Sequence, residues 1–190
     1  GIDGYKFDAG DNNCYASTSI LAYDKTATTV DHTTSWAKIG LEFPFNEYRA
    51  CWKMGGQPLV QRLGDKDYSW EAVQSLIPCM TAAGLLGYAY VCPDMIGGGQ
   101  WTSFLGINSD EFDQTLIVRS AQVHALMPMM QFSVAPWRVL SAENLEIVKQ
   151  MAILHAKFAP YIMQNAHHAA KTGEPIVRCM EYQYPHQGME

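Results

Sequence analysis

Apolar and polar positions along this chain follow two rhythms, and the switches between them mark out the elements. Residues 2–8 form a short apolar and aromatic stretch that ends on Asp8 and runs into Gly10, which predicts a strand entering a loop. Residues 33–42 read as a helix with Asp31 as its candidate cap. Residues 47–52 and 58–63 read as strands bracketing Gly55 and Gly56. Ser69 opens a helical pattern through Val73, Leu76, Ile77 and Met80 that stops at Gly84. Residues 88–92 are continuously apolar and short, as a strand buried on both faces would be, and Pro93, Asp94 and three glycines at 97–99 end it. Residues 114–130 have helical spacing broken at Pro128. The clearest helix covers residues 143–171, with Ser141 as cap, Gly173 as stop and a kink expected at Pro160. Residues 176–182 read as a last strand. Strands alternating with helices predict the α/β class with a parallel sheet.

Composition narrows the picture. The chain has 190 residues, 48% of them hydrophobic and 17% charged, with a formal net charge of −6. That length suits one domain with a sizeable core. High apolar content and modest charge exclude intrinsic disorder. With more acidic than basic residues and no basic stripe, the chain is not expected to bind nucleic acid. No apolar run approaches the ~18–20 residues that span a bilayer, so a soluble globular chain is expected, with no membrane partner. Cys14, Cys51, Cys79, Cys92 and Cys179 are odd in number and show no C-x-x-C pair, which predicts buried free thiols. No basic, apolar and cleavage-site sequence marks a signal peptide, and the opening GIDGYKFDAGD reads like the middle of a domain.

Asp8, Asp65 and Asp94 each fall at the end of an expected strand. In parallel α/β architectures those ends converge on one face, which carries the ligand. One such carboxylate alone caps a helix or holds a loop as readily as it meets a ligand; three at equivalent positions favour a site. With Arg49, Trp52, Trp70 and Trp101 nearby in the pattern, acidic and aromatic groups together suit a sugar. Magnesium held by the same acids is the competing reading. Trp70 reads more as packing beneath a loop than as a stacking surface, while Trp101 fits a stacking ring and a loop anchor equally.

Four motifs in order carry a resemblance. GIDGYKFDAGD looks like the nucleophile strand of glycoside hydrolase family 31, the α-glucosidase and α-xylosidase family. QRLGDKDYSW, with Arg49 sixteen residues ahead of Asp65, resembles the acid/base segment, and VCPDMIGG resembles the Gly-Ala-Asp-Ile-Cys-Gly turn. HAKFAPYIMQNAHHAAKTGEPIVRCMEYQYP is similar to the family's late helix and last barrel strand. The resemblance implies a partial (β/α)8 barrel, roughly strands 4 to 8 with their helices, forming the C-terminal portion of a glycosidase catalytic domain over residues 1–190. Five strands are expected, ending near Asp8, Trp52, Leu63, Val91 and Tyr182. It implies Asp8 as nucleophile, Asp65 as general acid/base, Arg49 as a contact to sugar and acid together, and Asp94 as support for the subsite wall. Lys6, on the same strand face as Asp8, is expected to keep Asp8 ionised and, with Trp101, to face the substrate.

The departures carry information of their own. Ser133 stands where the family often has a His, and His124, nine residues earlier, reads as an ordinary helix residue. The family's Asp-Met-Asn-Glu form becomes Asp8-Ala9-Gly10-Asp11, so the acidic residue after the nucleophile is a shorter one, Asp11. MMQFSVAPW is more like the α-galactosidase-like branch. The implied chemistry is retaining hydrolysis of a terminal α-linked sugar, with no metal or organic cofactor, on an oligosaccharide or α-glycoside. The open half-barrel implies self-association or pairing with a missing half. The alternative is a non-catalytic carbohydrate-binding or assembly module with a degenerate acidic face.

Overall fold

The computed structural model describes residues 1–11, 24–43, 45–104 and 112–189. Cys14 and the Asn12–Asn13 loop lie outside them. Four short strands, β1 (Tyr5–Phe7), β2 (Asn46–Tyr48), β3 (Val60–Arg62) and β4 (Val91–Cys92), pair in sequence order, every pair parallel. The register places Lys6 opposite Glu47, Phe7 opposite Tyr48, and Arg62 opposite Cys92. Beyond β4 the pairing continues as one parallel bridge between Ile96 and Phe132. This is part of an α/β barrel wall, as expected.

Helix α1 (Thr29–Glu42) joins β1 to β2, and α2 (Trp70–Leu85) joins β3 to β4. Thr28 and Asp31 close α1 with a reciprocal capping box, so Asp31 acts from inside the first turn rather than as the cap itself. Ser69 caps α2 as expected. The β2–β3 crossover has no helix. Its turn approaches the end of α2, where Gly56 donates to the Gly87 carbonyl at 2.8 Å and a Cβ at Gly55 would lie 2.5 Å from the Leu86 oxygen. Only glycines let two backbones meet this closely.

Helix α3 (Gln114–His124) ends four residues before Pro128. It packs on α5 (Ala142–Thr172), which follows the short α4 (Pro136–Val139). Ser141 and Gly173 bound α5 as expected, Gly173 in the left-handed conformation at φ +78°. The helix is continuous through Pro160.

The last expected strand is not formed. Residues 176–182 turn back on themselves and enter a short helix, α6 (Met180–Gln183). Arg178 donates to the Pro175 carbonyl at 2.8 Å and to Gln183 at 2.9 Å, and Tyr182 donates to Glu174 at 3.0 Å. These local bonds satisfy the segment without a neighbouring strand, while Val177 still packs against the Met80 and Val91 cluster.

The helix-facing side of the sheet is apolar. Phe7 stacks on Tyr48 at 4.9 Å, and Trp36 meets Phe7 edge-on. A second cluster, around Ile96, Ile117, Val118 and Val148, joins α3 and α5 to the Ile96–Phe132 bridge. The other face carries Lys6, Glu47 and Arg62, so barrel-side alternation puts charge where a closed core would put aliphatic groups. Cys51 and Cys92 are buried free thiols as expected, whereas Cys179 is exposed. No helix among the described residues is long and apolar enough to cross a membrane.

Candidate active site

The four strand ends deliver four candidate residues to one rim. Asp8 and Arg49 directly follow Phe7 and Tyr48, which are register partners, so the two stand side by side. Asp65 lies three residues past β3 and Asp94 two past β4. Arg49 Nη1 lies 3.0 Å from Asp8 Oδ1 and 3.1 Å from Asp65 Oδ2, so one nitrogen bridges the two carboxylates. The other side of Arg49 is held by Asp11, with Nε at 3.0 Å and Nη2 at 2.5 Å. Ala9 and Gly10, at φ +61° and +80°, turn the chain so that Asp11 returns to this position. Hydrogen bonding to Asp11 and the fields of Asp11, Asp8 and Asp65 outweigh partial burial and raise the Arg49 pKa above its usual value.

Beneath this rim lies Arg62, whose side chain is 4% exposed. Its Nη1 is 2.6 Å from Asp65 Oδ1 and 3.0 Å from Asp94 Oδ1, and its Nη2 is 3.8 Å from Asp8 Oδ1. Its Nε lies 3.6 Å from Glu47 Oε1. Burial works against the charge, but the Asp65 hydrogen bond and the fields of Asp65, Asp94 and Glu47 prevail and raise its pKa. Arg62 and Glu47 had no place among the sequence candidates.

Asp94 is fully buried and at φ +153°, an unusual backbone region for an L-residue. Its Oδ2 accepts from the backbone N–H of Lys66 at 2.7 Å and of Gly99 at 2.8 Å, while Oδ1 accepts from Arg62. Both Asp94 oxygens are thus engaged by the protein's own donors, and the side chain has no exposed surface to offer a ligand. His124 is no ordinary helix residue: it is fully buried, with Nε2 2.9 Å from the Asp94 carbonyl and Nδ1 2.7 Å from the Ser120 carbonyl. Burial lowers its pKa against these contacts.

Lys6 departs from expectation. Its Nζ lies 3.3 Å from Glu47 Oε1 and 3.0 Å from Gln131 Oε1, and Gln131 donates to Glu47 in turn. The cations facing Asp8 are Arg49 and Arg62. Trp70 Nε1 donates to Asp113 Oδ2, the α3 cap, at 2.9 Å, tying two helix starts together. Trp52 and Trp101 are exposed, Trp101 on a 3₁₀ turn just past Gly99. Ser133 donates to the Ile96 carbonyl at 2.7 Å, which fixes the parallel bridge. The acids alternate with arginines, and among the described residues no three His, Cys, Asp or Glu side chains form a group that could hold a metal.

The model of the glycosyl hydrolases family 31 TIM-barrel domain matches residues 15–165. The chain belongs to glycoside hydrolase family 31. This family 31 chain is 32% identical over 189 residues to the myogenesis-regulating glycosidase of Mus musculus, covering 93% of the chain and 25% of that protein. It is 31% identical over 113 residues to the SITS-binding protein of Tetronarce californica, covering 59% of the chain and 15% of the relative. The chain thus spans a quarter or less of the curated relatives it matches. Among solved structures, the cycloalternan-degrading enzyme from Trueperella pyogenes, in complex with a covalent intermediate, superposes with a TM-score of 0.74 at 22% identity. That match covers 95% of this chain and 27% of the enzyme. A family 31 sulfoquinovosidase from E. rectale gives a TM-score of 0.72 at 22% identity, over 97% of this chain and 30% of its own. Likeness at that identity concerns the fold.

Proposed function

We propose that this chain is the C-terminal portion of the catalytic domain of a retaining α-glycosidase, with Asp8 as nucleophile and Asp65 as general acid/base. The single nitrogen of Arg49 shared by both carboxylates carries the reading. The two oxygens it joins can be no farther apart than the sum of its contacts, about 6 Å, near the roughly 5–5.5 Å of retaining enzymes and short of the wider inverting gap. In the first step an Asp8 oxygen bonds to the anomeric carbon as the glycosidic C–O bond breaks, and Asp65 gives its proton to the leaving oxygen. In the second, Asp65 takes a proton from water as that water displaces Asp8. Arg49 holds both acids and meets the sugar between them. Lys6 and Trp101 face the substrate from the barrel interior and from the rim. The sugar is α-galactosyl, on the likeness of MMQFSVAPW to that branch and on Ser133 in place of a His.

The chain acts within a longer polypeptide. The open edge of β1 pairs with the upstream part of that polypeptide or, in isolation, with a second copy. The second reading is a carbohydrate-binding or assembly module without turnover, favoured by the engagement of both Asp65 oxygens with guanidinium groups. The test assays the parent polypeptide and the 190-residue chain on 4-nitrophenyl α-galactoside, α-glucoside and α-xyloside, each with Asp8→Asn. Parent activity abolished by Asp8→Asn supports the enzyme, and α-galactoside preference supports the sugar. A parent that cleaves none of the three sinks the enzyme reading. A monomeric isolated chain as active as its parent sinks the partial-domain reading.

A further inference from the structure

Arg62 contacts four carboxylates, and its contacts close a ring. Nη1 holds Asp65 Oδ1 and Asp94 Oδ1 together, and Asp94 Oδ2 accepts the backbone N–H of Lys66, the residue next to Asp65. The ring therefore runs from Arg62 to Asp65, along the backbone to Lys66, across to Asp94 and back to Arg62. Gly99 N–H braces it from one side, and His124 Nε2, at the Asp94 carbonyl, from another. Of the two cations on Asp65, Arg62 is almost fully enclosed, while Arg49 is 20% exposed at the rim. The two Asp65 oxygens are thereby unequal. Oδ1 is fixed to the enclosed guanidinium, and Oδ2 faces the rim, where it meets an incoming glycosidic oxygen beside Arg49.

From this we infer that Arg62 is a positioning residue for the general acid/base: it anchors Asp65 Oδ1 so that Oδ2 meets the leaving oxygen. The inference rests on the proposed roles of Asp8 and Asp65. Arg62 touches neither the sugar nor the breaking bond. Its loss lets Asp65 drift, and a displacement of about 1 Å at a reacting group is enough to cost about 10²-fold.

The test uses the parent polypeptide with Arg62→Lys, which keeps a charge but lacks the forked geometry that spans two carboxylates. Two substrates of the sugar that the parent cleaves are compared by kcat/KM: the 2,4-dinitrophenyl glycoside, whose leaving group departs without a proton, and the methyl glycoside, whose leaving group needs one. The expected result is a loss of about 10²-fold on the methyl glycoside with the dinitrophenyl glycoside little changed, the magnitude general acid catalysis supplies. Azide, which attacks the glycosyl-enzyme without needing a base, is expected to raise kcat of the variant on the dinitrophenyl glycoside and to form the glycosyl azide. Melting temperatures establish that the variant is folded; should it not fold, Arg62→Gln, whose amide still donates to Asp65, is compared in the same way. Equal losses on both substrates, or no loss on either, overturn the positioning role. A wild-type parent that cleaves neither overturns the enzyme reading and this inference together, a result distinct from an active parent with an indifferent Arg62.

Discussion

Replacing Asp94 by Asn separates a buried support from a ligand contact. Asp94 has no exposed surface, and its carboxylate takes Arg62 on one oxygen and two backbone N–H groups on the other. An amide has one acceptor oxygen. If that oxygen stays on Lys66 and Gly99, the new NH2 points its hydrogens at the Arg62 guanidinium; if it turns to Arg62, two backbone donors lose their acceptor. The first arrangement costs less, since Asp65 and Glu47 still face Arg62. It nonetheless forfeits one charge-assisted bond, about 1.5–3 kcal/mol, and sets donor against donor. Breaking one side of a buried ion pair costs about 3–5 kcal/mol, and the remaining partners place this case at about 3. In a chain of this length that lowers the melting temperature by roughly 6–12 °C. The assay is thermal unfolding of the chain at neutral pH, followed by far-ultraviolet circular dichroism, with a urea titration as a second measure. A drop of less than about 1 kcal/mol in that titration would refute the assignment. It would mean that the carboxylate is not committed internally and is free to meet a sugar.

Three further outcomes are expected. Gly99→Ala places a methyl 2.6 Å from Asp94 Oδ1 and 2.8 Å from Asp65 Oδ1, and urea unfolding is expected to show a loss of about 1–3 kcal/mol. Gly64→Ala, with nothing within 4 Å of its added carbon, serves as the neutral control, and equal losses would dispose of the steric argument. Burial pushes the Cys51 and Cys92 thiols up to about 12, so at mildly alkaline pH a disulfide reagent is expected to label exposed Cys179 first, and those two only on unfolding. Peptide mapping that finds either one modified in the folded chain contradicts this. Burial lowers the His124 pKa in the fold, so the unfolded chain takes up its proton first as pH falls through about 6.5. Stability is therefore expected to decline from about pH 6.5 downward and His124→Gln to flatten that limb; urea midpoints with the same slope in both proteins would exclude His124 as its source.

Elements set by neighbours in sequence were legible from the chain itself. Ser69, Ser141 and Gly173 bound their helices because capping is decided within one turn. Four strands fall within or beside the stretches read for them, though each is shorter. The segment 176–182 is short and mostly apolar, yet a strand needs an edge to pair with. Here Arg178 and Tyr182 complete their bonds locally instead. The Ile96–Phe132 bridge was not legible, since neither side is strand-like on its own.

The candidate site divides along the same line, and Lys6 shows why. Asp8, Asp65 and Asp94 could be found because each closely follows a strand, and parallel strands bring such positions to one rim. Arg49, inside the stretch read as a strand, was legible through its place sixteen residues ahead of Asp65. Lys6 shares a face with Asp8, which suggested that its ammonium would serve that carboxylate. Two residues along a strand are roughly 6.6 Å apart, however, whereas adjacent strands lie about 4.8 Å apart. With Glu47 as its register partner, Lys6 reaches sideways to the nearer acid. The same competition decides Arg62. Nothing in the sequence around it distinguishes it from a surface arginine, and its importance arises only when β3 is set between β2 and β4 with Glu47 on one side and Asp94 on the other. A buried arginine among carboxylates is a property of strand order, and strand order is long-range information. What the sequence could have offered is a narrower clue: Glu47, Arg49 and Arg62 are charged residues in or beside short strands whose other positions are mostly apolar or uncharged, and a charge kept at a strand position calls for a partner on the next strand.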